Sequence, residues 1–285
     1  MKHWDTVAIV GVGLIGGSIG LALRQRGLAR SVVGIGRNPE RLRKAVELGT
    51  VTSTTTTIAA GVGKAELVVV CTPVDRIVDH VCEAAAACPP GTLLTDVGST
   101  KQHIVTTLAA ALQGTSERRV GFVGSHPMAG SEKSGVEHSQ ADLFENRVTI
   151  VTPHDQTHPE NVQRIEQFWK SLGSRVLRRS PEDHDRAVAM VSHVPHVVAA
   201  SLAGTTSADD RALVGGGWLD TTRIAAGDVE LWRQILLDNR GYVLKSLDNF
   251  AKVLASFRSA LAQHDQNQLV ELLKAGKQNR DAVGN

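Results

Sequence analysis

Glycines at positions 11, 13 and 16 stand at the spacing G-x-G-x-x-G within VAIVGVGLIGGSIG, residues 7–20. Each glycine at that spacing has its own task. The first permits a tight turn, the second lets backbone approach a pyrophosphate, and the third lets a helix pack on the strand before it. The alternative is a purely structural strand-to-helix turn. The match follows an apolar run, opens a helical pattern and lies inside a βαβ unit, so it reads as a dinucleotide cradle. Leu14, Ile15 and Gly16 start the helix, where backbone amides meet phosphate charge.

A second group of residues could act on a substrate beside such a cofactor. CTPVD (71–75) brings Thr72 and Pro73 to the carboxyl end of an apolar run. TDVGSTK (95–101) offers a hydroxyl at Ser99 and a cation at Lys101, and GSHPMAGSEKSG (124–135) offers His126, Ser131 and Lys133. An imidazole with an ordinary pKa of about 6.5 can take a proton from an alcohol near neutral pH. The bland alternatives are a structural histidine before Pro127 and a turn or helix cap at Ser99.

VVGIGRNPERLRKA (32–45) bears on which dinucleotide is held. Enzymes that use NAD usually carry an acid after this strand to hold the ribose 2′-hydroxyl. Here the chain has Gly36-Arg37-Asn38 and no acid. Glycine leaves room and Arg37 supplies charge for a 2′-phosphate, so NADP is favoured and NAD remains possible. The alternative is that Arg37 is a solvated loop charge and both cofactors are accepted.

The elements that must position these residues alternate along the first half of the chain. Apolar runs at Val7–Val10, Ser31–Ile35, Leu67–Cys71, Thr92–Asp96, Val120–Gly124 and Arg147–Thr152 are separated mostly by helical patterns, such as Ile15–Arg26 and Pro39–Glu47. Strands that are apolar throughout suit a parallel sheet covered on both faces. The fold class expected is α/β: a doubly wound Rossmann-type sheet over residues 1–179, completed by a helix near Pro159–Leu172 and a strand near Arg175–Leu177. The tetrathreonine Thr54–Thr57 reads as an exposed strand or loop. From Ser180 the pattern turns helical, with Ser180-Pro181-Glu182-Asp183 supplying a cap, a first-turn proline and two acids. An all-α domain over residues 180–285 is expected. Its last pattern starts at Asp228 and keeps a helical period through Trp232, Ile235, Leu236, Leu244, Leu247, Phe250, Leu254, Phe257 and Leu261. Unbroken to Gln263, that helix would span about 50 Å. One small domain cannot cover such a stripe, which predicts a homodimer through these helices.

Composition narrows the class further. The 285 residues are 42% hydrophobic and 4% aromatic, so the core must be largely aliphatic. A formal charge of +2 favours neither nucleic acid nor an anionic membrane. The basic cluster Arg41-Leu42-Arg43-Lys44 reads as a solvated helix face. Three cysteines, Cys71, Cys82 and Cys88, are too few for a disulfide scaffold and lack zinc-site spacing, so reduced thiols in the cytoplasm are expected. No signal peptide or membrane span is expected.

The whole pattern resembles the prephenate/arogenate dehydrogenase family of tyrosine biosynthesis. The resemblance rests on VGVGLIGGSIG, DVGSTK, GSHPMAGSEKSG, SHVPH (192–196) and GGGWLDTTRIAAGDVELWRQI (215–235), and it covers nearly the whole chain. It implies hydride transfer from ring C4 of prephenate or arogenate, with loss of carbon dioxide as the ring becomes aromatic. It further implies that His126 contacts the C4 hydroxyl as base. Ser99 would hydrogen-bond both this histidine and the substrate, and Arg223 would bind a substrate carboxylate. His196 matches a second substrate-side histidine, and Asp220 matches a residue that meets an arginine across the dimer. Ser131 and Lys133 belong to the same substrate loop, and Trp232 either walls the pocket or sits in the core. His184, His193 and His196 share roughly one helical side, but no acidic or thiolate ligand stands at useful spacing and no metal is expected. No separate domain for control by tyrosine is expected either.

Two other classes compete. Hydroxyacid dehydrogenases with a similar two-domain plan usually carry a catalytic lysine on a C-terminal-domain helix. Lys245 alone stands in the first part of the long helix, without the expected neighbours. A nicotinamide-binding redox sensor would not need Ser99, His126 and Arg223 to converge.

Overall fold

Val7 to Val10 are apolar without a break because both faces of their strand are covered. The structure, a computed structural model, describes residues 3–112, 120–130 and 133–284. Its strands are β1 (Trp4–Val10), β2 (Ala29–Ile35), β3 (Ser53–Thr55), β4 (Leu67–Val70), β5 (Leu93–Asp96), β6 (Gly121–Pro127), β7 (Val148–Thr152) and β8 (Arg175–Arg178). They form one sheet in the order β3-β2-β1-β4-β5-β6-β7-β8. Successive residues feed opposite cores: Val7, Ile9, Leu67 and Val69 enter one, while Ala8, Val10, Val68 and Val70 enter the other. That two-sided burial is what the apolar runs encode. The tetrathreonine supplies the short edge strand β3 and the cap of the helix after it.

The helices that cover the sheet are α1 (Leu14–Gln25), α2 (Pro39–Glu47), α3 (Ile58–Val62), α4 (Val74–Ala87), α5 (Gln102–Leu112) and α6 (Pro159–Ser171). Strand order reverses between β1 and β4, which opens a crevice at their carboxyl ends.

The sheet is parallel except at one junction. β6 and β7 are antiparallel, with His126 opposite Ile150 and Pro127 opposite Thr149. This pairing carries β6 beyond the Val120–Gly124 run expected from the sequence. His126 therefore sits on a strand, not on a loop beyond it.

A continuous helical stretch follows: α7 (Pro181–Val188), a π-helical turn at Ala189–His193, and α8 (Val194–Thr205). Ser180 caps it by accepting from the Asp183 amide at 3.0 Å, as its position suggested. The stretch is long and apolar enough to cross a membrane by length and composition alone. Here it buries His184, Asp185 and His193 against the rest of its unit, as a core helix does. α9 (Gly216–Thr222) and α10 (Val229–Asp238) come next, and Asp228 caps α10 at 2.8 Å from the Leu231 amide.

The long helix expected from Asp228 to Gln263 is broken at Asn239, which leaves helical geometry with φ −98° and ψ 22°. Its side chain is drawn inward, donating to the Asp185 carbonyl at 2.8 Å. The chain divides at this break into two compact units, the first ending at Asn239 and the second beginning at Arg240. The second unit is α11 (Arg240–Ala262) packed with α12 (Gln266–Asp281). Leu244, Val253, Leu254 and Leu261 on α11 are all exposed, so the apolar stripe on this helix is largely uncovered.

Candidate active site

The glycine turn divides its three tasks by geometry. Gly11 has φ 95°, and a Cβ there would lie 2.7 Å from the Cys71 carbonyl oxygen at the end of β4. A Cβ on Gly16 would lie 2.1 Å from the Gly11 carbonyl oxygen, so α1 can rest on the turn only through a glycine. A Cβ on Gly13 would meet nothing within 4 Å. That glycine fronts open space, where a pyrophosphate needs the backbone close. Gly13 is also the N-cap of α1 and brings no side-chain cap, which leaves the first-turn amides of Leu14, Ile15 and Gly16 to an anion. The residues fit a dinucleotide.

Beyond β2, Arg37 is exposed, and Asn38 caps α2 by accepting from the Glu40 and Arg41 amides at 2.9 and 3.1 Å. The Asn38 oxygen is thus committed to the helix. Across the crevice Pro73 is the N-cap of α4, and Thr72 Oγ1 meets His80 Nδ1 at 3.0 Å. Burial, then the charges of Arg76 and Arg37, lower the His80 pKa.

A cavity of about 1200 Å³ runs from Leu14 at the start of α1 to Ser99, His126, Lys133, Arg223 and Trp232. Residues far apart in sequence thus share one wall. Ser131 lies outside the described residues. Arg223 opens a single 3₁₀ turn after α9 and is exposed, as is Lys133.

His126 is 8% exposed, and its ring makes an edge contact with His184. Its Nδ1 meets His184 Nε2 at 2.8 Å, and His184 Nδ1 meets Asp185 Oδ1 at 2.7 Å. The hydrogen bond that His126 makes is to His184 and not to Ser99, which shares the cavity wall. Burial, then the His184 ring, Lys101 and His193, hold the His126 pKa well below the usual imidazole value. It is neutral at physiological pH and can accept a proton.

Beneath it lies a polar floor. Asp96 pairs with the Lys101 ammonium, both side chains being fully buried. Asp96 also accepts from the Gly98 and Ser125 amides at 2.9 and 3.1 Å. This pair fixes the β5 loop that carries Ser99 and the strand that carries His126. Lys101 is therefore spent on the frame, and the cations on the cavity wall include Lys133 and Arg223.

The π-helical turn sets two further histidines. His193 lines the cavity, and its Nδ1 accepts from Asn239 Nδ2 at 3.1 Å. Asn239 Nδ2 also donates to the Asp185 carbonyl, which fixes the amide's orientation and puts the His193 proton on Nε2. That N–H is buried without a partner among the described residues. Burial pushes the His193 pKa down to about 4. His196, expected on the substrate, stacks on Trp232 with centroids 3.6 Å apart and planes 12° apart. The cavity wall carries Ser192 and His193 instead, one turn earlier, and His196 backs the tryptophan. Gly227 makes room for that ring, since a Cβ there would lie 2.7 Å from Trp232 Nε1.

Sequence reasoning passed over His184, Asp185 and His193 as parts of the site. The signal available was a histidine followed directly by an acid inside a helix that must face the sheet. Among the described residues no group of three His, Cys, Asp or Glu side chains is placed to hold a metal ion.

Two family models match, prephenate dehydrogenase, nucleotide-binding domain, over residues 19–178, and prephenate dehydrogenase, dimerization domain, over residues 180–275. The chain is 35% identical to a prephenate dehydrogenase of Bacillus subtilis, covering 98% of this chain and 76% of that one. A crystal structure of prephenate dehydrogenase from A. aeolicus, in complex with hydroxyphenyl propionate and NAD+, is 34% identical with a TM-score of 0.88, covering 98% of each chain. The structure of Synechocystis arogenate dehydrogenase is 29% identical with a TM-score of 0.81, covering 98% of this chain and 99% of that one.

Proposed function

The chain belongs to the prephenate dehydrogenase family, and from that premise we propose that it oxidatively decarboxylates prephenate, or its amino counterpart arogenate, in tyrosine biosynthesis. The observation that carries the reading is one cavity holding a neutral, buried imidazole, an arginine and the start of a glycine cradle. A nicotinamide dinucleotide, when bound, supplies the hydride acceptor. Gly11, Gly13, Gly16 and the amides of Leu14 and Ile15 would hold its pyrophosphate, with Thr72 and Pro73 at the neighbouring strand end. Arg37, beside Asn38, would meet a 2′-phosphate, which favours NADP with NAD as the other possibility.

His126 takes the proton of the C4 hydroxyl, so the oxygen can form a carbonyl as hydride leaves C4. The ring carboxylate is then vinylogous to that carbonyl and leaves as carbon dioxide while the ring becomes aromatic. Arg223 binds a carboxylate, for which a planar guanidinium fork is suited. Lys133 and Ser131 assist, Ser99 contacts the substrate hydroxyl, and Trp232 walls the ring with His196 behind it. Residues 1–179 bind the cofactor. Residues 180–285 complete the substrate site and form a homodimer, for which the exposed stripe on α11 and the dimerization-domain match give support. A cytoplasmic location fits a biosynthetic enzyme of this kind. The hydroxyacid-dehydrogenase alternative is not favoured, because both family models match the prephenate enzymes.

Initial rates with prephenate and arogenate, each crossed with NADP+ and NAD+, test this. Turnover should appear in at least one combination, and His126→Asn should lower kcat by about 10²-fold or more. No turnover in any of the four would defeat the proposal.

A further inference from the structure

Asp185 sits where the helical stretch from Pro181 meets the start of α5. Its Oδ1 accepts from the Lys101 amide at 2.7 Å and its Oδ2 from the Gln102 amide at 2.9 Å. The same Oδ1 faces His184 Nδ1, and His184 is fully buried. A carboxylate only accepts, so the His184 proton lies on Nδ1 and its Nε2 carries the lone pair. The 2.8 Å contact then requires His126 to donate from Nδ1. Its own lone pair is left on Nε2, the nitrogen available to the cavity.

We propose that His184 and Asp185 are positioning residues that hold His126 in the Nδ1–H tautomer, and so determine that it meets the substrate as a base. This rests on the function proposed above. The proton received from the C4 hydroxyl stays on His126 Nε2. The resulting cation is stabilised through His184 by the Asp185 carboxylate, and no proton need move along the chain. Burial keeps His184 neutral against the pull of Asp185. That matters because a doubly protonated His184 would donate to His126 and reverse its tautomer. The charged and titratable groups bearing on the pair are Lys101, His193, Asp96 and Asp185.

The test uses the full chain with ¹⁵N-labelled histidine and reads ring nitrogen shifts at pH 7.5 without substrate. In the wild type His126 should show protonated Nδ1 and bare Nε2. Asp185→Asn removes the carboxylate charge that supports the His126 cation and leaves the Lys101 or Gln102 amide without an acceptor, so the Nδ1–H tautomer of His126 is no longer enforced and Nε2–H becomes populated. Its kcat should fall by about 10²-fold or more while KM changes less than threefold. His184→Leu spares the contacts of Asp185 with α5 and should leave His126 a mixture of tautomers, with a smaller loss of kcat. A merely structural role would lower Tm in both variants and leave the tautomer and the kcat of folded enzyme unchanged, which overturns the proposal. If Asp185→Asn fails to fold, the wild-type spectrum still decides, since a proton on Nε2 refutes the chain. Failure of the function alone would leave the tautomer as described and turnover absent.

Discussion

Alanine at each of the three cradle glycines separates binding from stability. At Gly13 a methyl group meets nothing within 4 Å, and the backbone there, φ −99° and ψ −153°, is open to any residue. The change in stability should be modest, a loss of about 0.5–1 kcal/mol, because alanine is a worse N-cap than glycine but meets no clash here. The methyl would occupy the space a pyrophosphate needs and displace it from at least one amide. A hydrogen bond to a charged group contributes about 1.5–3 kcal/mol, so affinity should fall by about 10- to 150-fold. Gly16→Ala does the opposite. Its Cβ would lie 2.1 Å from the Gly11 carbonyl oxygen, so α1 must move off the turn. Overpacking of this kind costs about 1–3 kcal/mol. Gly11→Ala adds left-handed strain at φ 95° to a 2.7 Å clash, and should be at least as damaging. Urea melts report the stabilities, and fluorescence titration of reduced cofactor into folded protein reports the affinities. If folded Gly13→Ala bound cofactor as tightly as wild type, the pyrophosphate would lie elsewhere and the reasoning would fail.

Arg37→Ala should weaken NADP binding by tenfold or more, about 1.4 kcal/mol, and leave NAD nearly untouched. An equal loss for both in the same titration would refute the 2′-phosphate assignment. Lys101→Met leaves Asp96 buried without its cation and should cost about 3–5 kcal/mol in urea melts, and a loss under about 1 kcal/mol would show that the pair contributes little. The pH dependence of stability should follow the buried histidines. The His193 pKa is pushed down to about 4, so the unfolded chain binds more protons between that value and about 6.5. Stability from this residue is complete above about pH 6.5 and is lost as pH falls, by about 3 kcal/mol near pH 4. His126, His184 and His196 shift in the same direction and add to the loss. Denaturation midpoints that stay flat from pH 7.5 to 4.5 would contradict the neutral, buried state of these rings.

By itself the sequence determined everything that depends on local spacing. Residue alternation placed the central strands between two cores, the glycine spacing marked the cradle, and Ser180 and Asp228 marked helix starts by capping chemistry that acts within three residues. The motif around His126 marked the site for the same reason, since its residues are contiguous. Contacts across the fold decided the rest. β7 pairs antiparallel with β6 and so draws His126 onto a strand, a pairing that no local pattern encodes. Asn239 breaks an otherwise continuous helical period because its amide is satisfied 54 residues away, at Asp185. The π-helical turn brings His193 to the cavity and leaves His196 behind Trp232, a shift that helical periodicity cannot anticipate. The link from Asp185 through His184 to His126 joins the start of one helix to a strand 58 residues earlier. Hydrogen bonds of that range depend on tertiary packing to bring donor and acceptor together, and packing alone selects which nitrogen of His126 is free.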